Sequence, residues 1–415
     1  MLKAIIESGF IPMDSKCAMY DSSTGIHQMM TGDEYKPHYA REGEELELPE
    51  DFPEVTVSLS DNPTRGTYIF TNQPSSLTTE ESDPYPIYLI KTNEKGRVLF
   101  YKKGPGLGYS DFKQFSDGSM AFFVVLNSGR EGGGLDGFYV TTDRNFRTTG
   151  IYNVPGINRT TDSHEFYRLP NRNMMIISYD KRYVDLSEYG GSHHATVYSS
   201  SIHEFTPEGK LVWNWVGWEH FHITDAVAEA PEVHFDAWPP QHLDAVHGNS
   251  IALTPDGNIL LSSRHLDEVT KINRRTGNIM WRMGGKYCKN NEFTFINDPY
   301  HGFSHQHNAH YIPNGDLLIF DNGNLHEPPL TRVLEYQVSD ETRTARLVWS
   351  YDDNRLSYSR GSAKRLTNGN TVIGWGQVDY KGQAFTTEVR PDGSKALEMM
   401  LPEGQSTYRV YFVEK

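Results

Sequence analysis

The fold is read most directly from the segment His247-Gly-Asn-Ser-Ile-Ala-Leu-Thr-Pro-Asp-Gly-Asn-Ile-Leu-Leu-Ser-Ser-Arg264. It contains two apolar runs, each long enough for a short strand, on either side of an Asp-Gly dipeptide. Asp and Gly tolerate the positive φ angles of tight hairpin turns. The segment therefore predicts two antiparallel strands joined at Asp256-Gly257.

The same pattern occurs at four other places in the chain. Four of the five copies turn at Asn-Gly or Asp-Gly, whereas one turns at Asn171-Arg172. The other copies are Tyr109–Val125, Asp162–Tyr179, His307–Asn322 and Ser359–Gly376. A repeated hairpin of this kind indicates a repeat architecture rather than a single irregular sheet.

A second kind of hairpin lies between these copies. Two of its copies carry a glycine, Gly209 or Gly277, at the turn. The copies are Tyr88–Tyr101, Ser201–Trp213, Val269–Trp281 and Val333–Trp349. Each repeat therefore has two hairpins, or four antiparallel strands.

Four-stranded units in series predict an all-β fold, a six-bladed β-propeller of four-stranded antiparallel blades. Five blades come from the five hairpins of the first kind, and a sixth closes the ring by pairing Gly66–Thr71 with the tail segment Thr407–Val413. Five or seven blades are the alternatives. Residues 1–60 are then a short N-terminal extension or small cap, residues 61–415 the propeller, and residues 217–244 a long insertion between blades.

The composition of the chain disfavours two classes of binding partner, nucleic acids and membrane surfaces. The chain has 415 residues and a formal net charge of −15, and an acidic surface opposes binding to nucleic acid or to a membrane surface. No stretch approaches the roughly 20 apolar residues of a transmembrane helix. The first residues lack the apolar core and cleavage site of a signal peptide.

The two cysteines, Cys17 and Cys288, exclude a cysteine-rich zinc site and allow one disulfide at most, without deciding whether they pair.

The hairpin register predicts which side chains are neighbours. Residues equidistant from a turn face each other across the two strands. Counting from the turns pairs His247 with Arg264, His307 with Asn322, and His164 with Tyr179.

Spacing from the turns also places several side chains on one face. His164, Asn249 and His307 each lie eight residues before the turn position that is glycine in most copies, and His247 lies ten before it. Even offsets point to the same side of a strand, and His305 shares this parity. Since the inner strands of a propeller line a common channel, the spacing predicts a cluster of three histidines with Arg264 and His305 beside them.

The residue types in this cluster favour an anionic substrate. No acidic residue falls at the equivalent positions, which disfavours the paired carboxylates of a standard glycosidase. Three histidines could bind zinc, but Arg264 would repel a dication and suits a carboxylate, phosphate or sulfate. Histidine can act as nucleophile, acid or base near neutral pH. The cluster therefore indicates group transfer from an anionic ester, with no metal and no cofactor.

Five strings carry a resemblance to a known family. They are Asp162-Ser-His-Glu-Phe166, Ser262-Ser-Arg-His265, Gln306-His307 and Phe320-Asp-Asn-Gly-Asn324, together with His247-Gly-Asn-Ser250. With these strings the chain resembles the arylsulfate sulfotransferases, which are six-bladed propeller enzymes that move sulfuryl groups between phenols without a nucleotide donor. The first string is similar to the more divergent second branch of that family.

The resemblance implies a mechanism and a set of site residues. His307 matches the histidine that carries the sulfuryl group, His164 and His247 match the histidines that stabilise the transition state, and Arg264 and Asn249 match the other polar groups of the site. His305, Asn322 and Tyr179 are candidate substrate-binding residues. The expected reaction is ping-pong transfer from an aryl sulfate to a phenolic acceptor. The resemblance also favours a periplasmic or secreted protein whose signal is absent from this chain, a cytoplasmic location being the alternative, and allows a homodimer.

Two other functions are compatible with the same residues. A polysaccharide lyase or related carbohydrate enzyme would use Arg264 to neutralise a uronate carboxylate, with a histidine or Tyr179 as base. A non-catalytic propeller would bind a ligand in the channel without turnover, because propellers host many functions. The insertion at residues 217–244 is rich in histidine, acidic and aromatic residues, and is either a lid over the channel or a metal site.

Overall fold

The computed structural model describes residues 36–41, 43–74, 86–127, 135–226, 242–378 and 383–415. These residues form an all-β structure, in which helix is limited to three-residue 3-10 turns: Ser187–Tyr189, Gly217–Glu219, Ile223–Asp225 and Arg264–Leu266. None of the described helices has the length and hydropathy needed to cross a membrane.

The described strands follow one another along the chain with short connections. The first fourteen are β1 (His38–Tyr39), β2 (Thr56–Ser60), β3 (Gly66–Pro74), β4 (Tyr88–Asn93), β5 (Val98–Lys103), β6 (Tyr109–Gln114), β7 (Met120–Asn127), β8 (Asp136–Thr142), β9 (Thr148–Tyr152), β10 (Arg159–Arg168), β11 (Met174–Val184), β12 (Ala195–Phe205), β13 (Leu211–Trp215) and β14 (His242–Asp244). The rest are β15 (Gly248–Leu253), β16 (Ile259–Ser263), β17 (Glu268–Ile272), β18 (Ile279–Gly284), β19 (Thr294–Ile296), β20 (His307–Tyr311), β21 (Leu317–Asp321), β22 (Arg332–Ser339), β23 (Thr344–Asp352), β24 (Ser362–Arg365), β25 (Thr371–Gly374), β26 (Thr386–Val389), β27 (Lys395–Met400), β28 (Gln405–Thr407) and β29 (Tyr411–Glu414).

Hydrogen bonding sorts these strands into five sheets. Three of them have the orders β15-β16-β17-β18, β19-β23-β22-β21-β20 and β2-β27-β26-β25-β24. The first sheet contains β1, β5, β4, β3, β28 and β29, and the largest has nine strands. The nine-stranded sheet joins the groups β6–β9 and β10–β14 through a single residue pair, Asp136–Asp162.

The sheets are arranged as a propeller-like ring. The inner strands β6, β10, β15, β20 and β24 contact one another in chain order, and β29 contacts both β24 and β6. The tail pairs with β3 as the sequence predicts, with Tyr411 opposite Ile69 and Glu414 opposite Gly66. From the N-terminal segment, β1 pairs with β5 and β2 pairs with β27, so both add to outer edges of the ring's sheets. Residues 1–35 lie outside the described part.

Apolar packing between neighbouring sheets forms the core. Six buried clusters each combine side chains from two adjacent groups of strands. For example, Leu261 of β16 belongs to the same cluster as Ile177 of β11, whereas Leu260 of the same strand belongs to the cluster that contains Leu317 of β21. Consecutive residues of a strand point to opposite faces, so one strand serves two interfaces. The interior strands are therefore apolar on both faces, as the uninterrupted apolar runs of the sequence predict.

The predicted hairpin turns are all present. In each turn of the first kind, a residue with positive φ donates its N–H to the carbonyl three residues earlier, as Gly257 does to Thr254 at 2.9 Å. Glycine occupies this position at Gly118, Gly257, Gly315 and Gly369, with φ between 79° and 91°. Arg172 occupies it in the remaining turn, with φ 68°.

Arg172→Gly is expected to stabilise the protein. An L-residue in this left-handed conformation costs about 1–2 kcal/mol, from which the extra chain entropy of glycine subtracts, leaving a gain of about 0.5–1 kcal/mol in the free energy of unfolding. Gly315→Ala is the matched control, because a Cβ there would touch nothing within 4 Å and only the backbone would be strained. Urea midpoints should rise for the first variant and fall for the second. A lower urea midpoint for Arg172→Gly would mean that contacts of the arginine side chain stabilise the protein by more than its positive φ destabilises it.

Bulges near the start of the inner strands change the predicted register. His247 and Arg264 are neighbours as predicted, since the Arg264 N–H donates to the His247 carbonyl at 2.9 Å. The other two predicted pairs are wrong: His307 is opposite Phe320 rather than Asn322, and Tyr179 is opposite Thr160 rather than His164.

Four inner strands share this irregularity. Register shifts lie between Ser110 and Lys113, Thr161 and Phe166, Gly248 and Ser250, and His307 and His310. Each bulge adds residues to one strand, interrupts the alternation of side chains and re-aims them. In the tail, residues 408–410 lie opposite two residues of β3, between the β28 and β29 pairings. The counting from the turns assumed regular strands and therefore failed for the partners of His164 and His307.

Candidate active site

Three predicted histidines meet where the inner strands β10, β15 and β20 begin or bulge. The ring centroid of His164 lies 4.9 Å from that of His247 and 6.0 Å from that of His307. His307 is buried, whereas the side chains of His164 and His247 are 11% and 13% exposed. The three imidazoles therefore form one cluster, open to solvent on the side of His164 and His247.

A carboxylate supports each of the two more exposed histidines. Nδ1 of His164 lies 2.5 Å from Asp162, and Nδ1 of His247 lies 2.6 Å from Asp244. Both carboxylates also accept the backbone N–H of the same histidine. An ionised carboxylate can only accept hydrogen bonds, so each Nδ1 carries a proton. This arrangement fixes the ring and stabilises the imidazolium when Nε2 takes a second proton.

His307 has a different partner and a different protonation state. Its Nδ1 lies 2.8 Å from the carbonyl oxygen of Gly361, and a carbonyl can only accept, so Nδ1 carries the proton and Nε2 the lone pair. Within the described residues Nε2 is buried and has no hydrogen-bond partner. Burial, followed by the nearby positive charge of Arg409, lowers the pKa of His307 well below its ordinary value. His307 is therefore a neutral imidazole with an available nucleophilic nitrogen.

Arg264, Asn249 and Tyr179 lie around the cluster. Arg264 begins the 3-10 turn after β16, and its guanidinium donates to the Tyr358 carbonyl at 3.0 Å. Asn249 donates its side-chain amide to the carbonyl of Gln306, the residue before His307. The ring of Tyr179 lies 6.1 Å from that of His164 and 5.9 Å from that of His247.

The structure gives His305 and Asn322 other positions. His305 is fully buried and bound to Asp267, with Nδ1 2.9 Å from the carboxylate, and its ring lies 6.2 Å from that of His265. A positive φ of 53° at His305 breaks the alternation on which its prediction rested. The Asn322 amide donates to the backbone carbonyls of Ser357 and Arg360, which holds that loop in place.

One group of described residues could hold a metal ion. Ligand atoms of Asp244, His247 and His265 lie within 4.8 Å of one another. Burial, followed by the neighbouring His247, lowers the pKa of His265 well below its ordinary value, and the charge of Arg264 acts in the same direction. A cation bound by this group would be repelled by the Arg264 guanidinium. Of the insertion, residues 227–241 lie outside the described part, while β14 pairs in parallel with β12 and brings Asp244 to His247.

Comparison with protein families identifies the chain at family level. A model of the arylsulfotransferase (ASST) family matches residues 56–411, which is most of the chain. The chain belongs to the arylsulfotransferase family. Membership supports sulfotransferase activity in the broad sense and agrees with the predicted resemblance.

The likeness of solved structures to this chain concerns the fold alone. A Bacteroides caccae protein of unknown function matches with a TM-score of 0.50 and 12% identity, covering 85% of this chain and all of that one. A putative 6-phosphogluconolactonase from Bacteroides uniformis matches at 0.46 and 12% over 85% and 100%, and a Pseudomonas aeruginosa periplasmic gluconolactonase at 0.46 and 11% over 85% and 99%. A search of curated proteins found no match.

Several groups of the arylsulfotransferase site were missed by the sequence analysis. Asp162 and Asp244 lie two and three residues before the histidines that they support, and this spacing was a usable signal. Gly361, Tyr408 and Arg409 come from the last part of the chain, which no motif connected to the histidines. Their contribution depends on ring closure and is visible only in three dimensions.

Proposed function

We propose that this arylsulfotransferase moves a sulfuryl group from an aryl sulfate to a phenolic acceptor by a ping-pong reaction through a sulfohistidine at His307. One observation carries the proposal. The His307 ring is fixed by the Gly361 carbonyl with its Nε2 lone pair buried, unpartnered among the described residues, and next to His164. A neutral imidazole in this state is a nucleophile and needs no base to activate it.

In the first half-reaction Nε2 of His307 attacks the sulfur of the donor. An N–S bond forms, the bond between sulfur and the aryl oxygen breaks, and the phenolate leaves with the electron pair. Arg264 and the protonated imidazoles of His164 and His247 stabilise the negative charge that develops on the oxygens. One of these two histidines gives its Nε2 proton to the leaving oxygen, and its carboxylate partner holds the ring in position.

In the second half-reaction the acceptor phenol occupies the place of the first. Its oxygen attacks the sulfur, the N–S bond breaks, and the electron pair returns to Nε2 of His307. The histidine that lost its proton takes the phenolic proton, so the enzyme regains its starting state. The rings of Tyr179 and Tyr408 lie beside the histidines and supply aromatic surface for an aryl substrate.

We also infer that the ring has six blades, preceded by the short extension. The support is six groups of four antiparallel strands, six inner strands in sequential contact, and six apolar clusters between neighbouring groups. The single pair Asp136–Asp162 that joins two groups is a contact between adjacent blades in this view. A crystal structure with a different number of four-stranded groups would contradict it.

The function is tested by intact-mass measurement of the protein mixed with 4-nitrophenyl sulfate. We expect a burst of nitrophenolate equal to the enzyme concentration and a mass gain of one sulfuryl group. Added phenol should remove the extra mass and turn the burst into continuous release of nitrophenolate. His193→Ala, at an exposed histidine, is the control and should behave like the parent protein. No burst and no added mass would contradict the proposal, and uronate-containing polysaccharides would then be tried for lyase activity.

The pH dependence of the first half-reaction gives a further prediction. The reacting form of His307 is neutral, and burial followed by the Arg409 charge lowers its pKa, so the neutral form persists to lower pH than in a free histidine. The acidic limb of kcat/KM should therefore lie below the ordinary histidine value of about 6.5. Aryl sulfates do not titrate in this range. A limb at or above that value would mean that His307 is not the nucleophile.

A further inference from the structure

The segment between β28 and β29 places a buried arginine against the histidine cluster. Arg409 is 2% exposed and lies within the bulge of the tail at residues 408–410. Its Nε lies 3.5 Å from Nδ1 of His307, and its other guanidinium nitrogens donate to the Asn249 carbonyl at 2.6 Å and to Glu165 at 2.7 Å. One side chain therefore contacts three inner strands at the level of the site.

A closed set of buried charges surrounds this arginine. Glu165 accepts from both Arg409 and Lys113, and Lys113 also pairs with Asp111 at 2.9 Å. The hydroxyl of Tyr411 donates to Asp111 at 2.7 Å. Burial opposes ionisation of Glu165, yet the charges of Lys113 and Arg409 hold its pKa below the ordinary value. The two carboxyl groups of Glu165 and Asp111 thus lie beside the two basic groups of Arg409 and Lys113 in a buried region.

We propose that Arg409 is a positioning residue that holds a fixed positive charge beside His307 and keeps its imidazole neutral for the reaction. The proposal rests on the proposed function, because it assigns a purpose to the neutral nucleophile. Since Nδ1 carries the proton given to Gly361, Arg409 cannot donate to it, and the 3.5 Å contact is a charge held beside the ring. A fixed cation at this distance disfavours a second proton on His307.

After burial, Arg409 contributes most to this effect among the charged groups around His307. The charged or titratable groups around His307 are His164 from β10, His247 before β15, Tyr408 and Arg409 from the tail, and Glu165 behind Arg409. Of these, Arg409 is a permanent cation, and Glu165 partly neutralises it. The hydroxyl of Tyr408 donates to the His164 carbonyl at 2.6 Å, and the guanidinium of Arg409 lies 5.0 Å from the Tyr408 ring. Two adjacent residues of the tail, Tyr408 and Arg409, thus contact His164 and His307 respectively.

The experiment compares Arg409→Gln, Arg409→Lys and Glu165→Gln with the parent protein. In Arg409→Gln the acidic limb of kcat/KM should move upward by about one pH unit, since burial and the neighbouring histidines then act on His307 without this cation. Arg409→Lys keeps the charge and should restore the limb. Glu165→Gln removes the neutralising carboxylate and should move the limb in the opposite direction, downward. A residue with only a structural role would lower the rate equally in the glutamine and lysine variants and leave the limb unchanged.

A measurement without turnover separates this proposal from the proposed function. The imidazole signals of labelled histidine can be followed by NMR during a pH titration, and the His307 signal is assigned by its loss in His307→Asn. We expect its pKa to rise in Arg409→Gln and to fall in Glu165→Gln, even if the parent protein transfers no sulfuryl group. An unchanged His307 pKa in both variants would overturn the role of Arg409. If Arg409→Gln does not fold, Glu165→Gln and Arg409→Lys carry the test.

Discussion

His307→Ala is expected to reduce kcat for sulfuryl transfer by at least about 10⁴-fold, the size of loss seen when a nucleophile is removed from a group-transfer enzyme. The variant loses the imidazole of the cluster whose Nε2 is buried and has no hydrogen-bond partner among the described residues. His164 and His247 cannot take its place, because each is already oriented by a carboxylate. The nitrophenolate burst and the mass gain should both disappear, and KM should change much less than kcat.

The fold of the variant must be checked, because His307 is buried beside Arg409. The melting temperature of His307→Ala should stay close to that of the parent, and addition of free imidazole should restore part of the rate by filling the same space. His310→Ala, three residues further along β20, changes a neighbouring histidine and should retain the burst. A full burst in His307→Ala would show that another group accepts the sulfuryl group.

Arg264→Ala is expected to cost about 10²–10³-fold in kcat/KM, as when one preorganised donor to an oxyanion is removed. The guanidinium is a planar group of donors that suits the oxygens of a sulfate ester, and its hydrogen bond to the Tyr358 carbonyl fixes its orientation. Arg264→Lys keeps the charge but loses the planar donor set, so its kcat/KM should lie between those of the parent protein and Arg264→Ala.

Comparison of donors makes the Arg264 prediction more specific. The loss should be larger for 4-methylphenyl sulfate than for 4-nitrophenyl sulfate, because the poorer leaving group depends more on stabilisation of the transition state. Arg275→Ala, at an exposed arginine in the turn between β17 and β18, is the matched control and should have no effect. Equal activity of Arg264→Ala and Arg275→Ala would exclude Arg264 from the reaction.

The fold could be predicted from the sequence where it depends on local chemistry. Asn-Gly and Asp-Gly turns require positive φ, and the structure has this conformation at Gly257, Gly315 and the equivalent positions. The pairing of the tail with β3 followed from the need to close a ring of hairpins. The predicted all-β propeller-like arrangement is confirmed, and the strand pairing forms five sheets because one residue pair bridges two groups.

The site was only partly predictable because its geometry comes from bulges. His164, His247 and His307 were grouped correctly, yet the partners predicted for His164 and His307 were wrong, since the extra residues of each bulge shift the register. His305 was included by parity and lies instead against Asp267. Arg409 could not be found in this way, because its contacts to Asn249 and Glu165 span 160 and 244 residues of sequence.

The closing strand also sets the order of events during protein synthesis. On the ribosome, β3 emerges early but lacks its β29 partner until almost the whole chain has been translated. Until then Glu165 and the Asn249 carbonyl lack the arginine that joins them, and His307 lacks its neighbouring charge. Such distant pairing is slow to form and leaves strand edges exposed in the meantime. A nascent chain can therefore form most of its sheets during translation, but the contacts of Arg409 to the histidine cluster form only after residues 408–414 leave the exit tunnel.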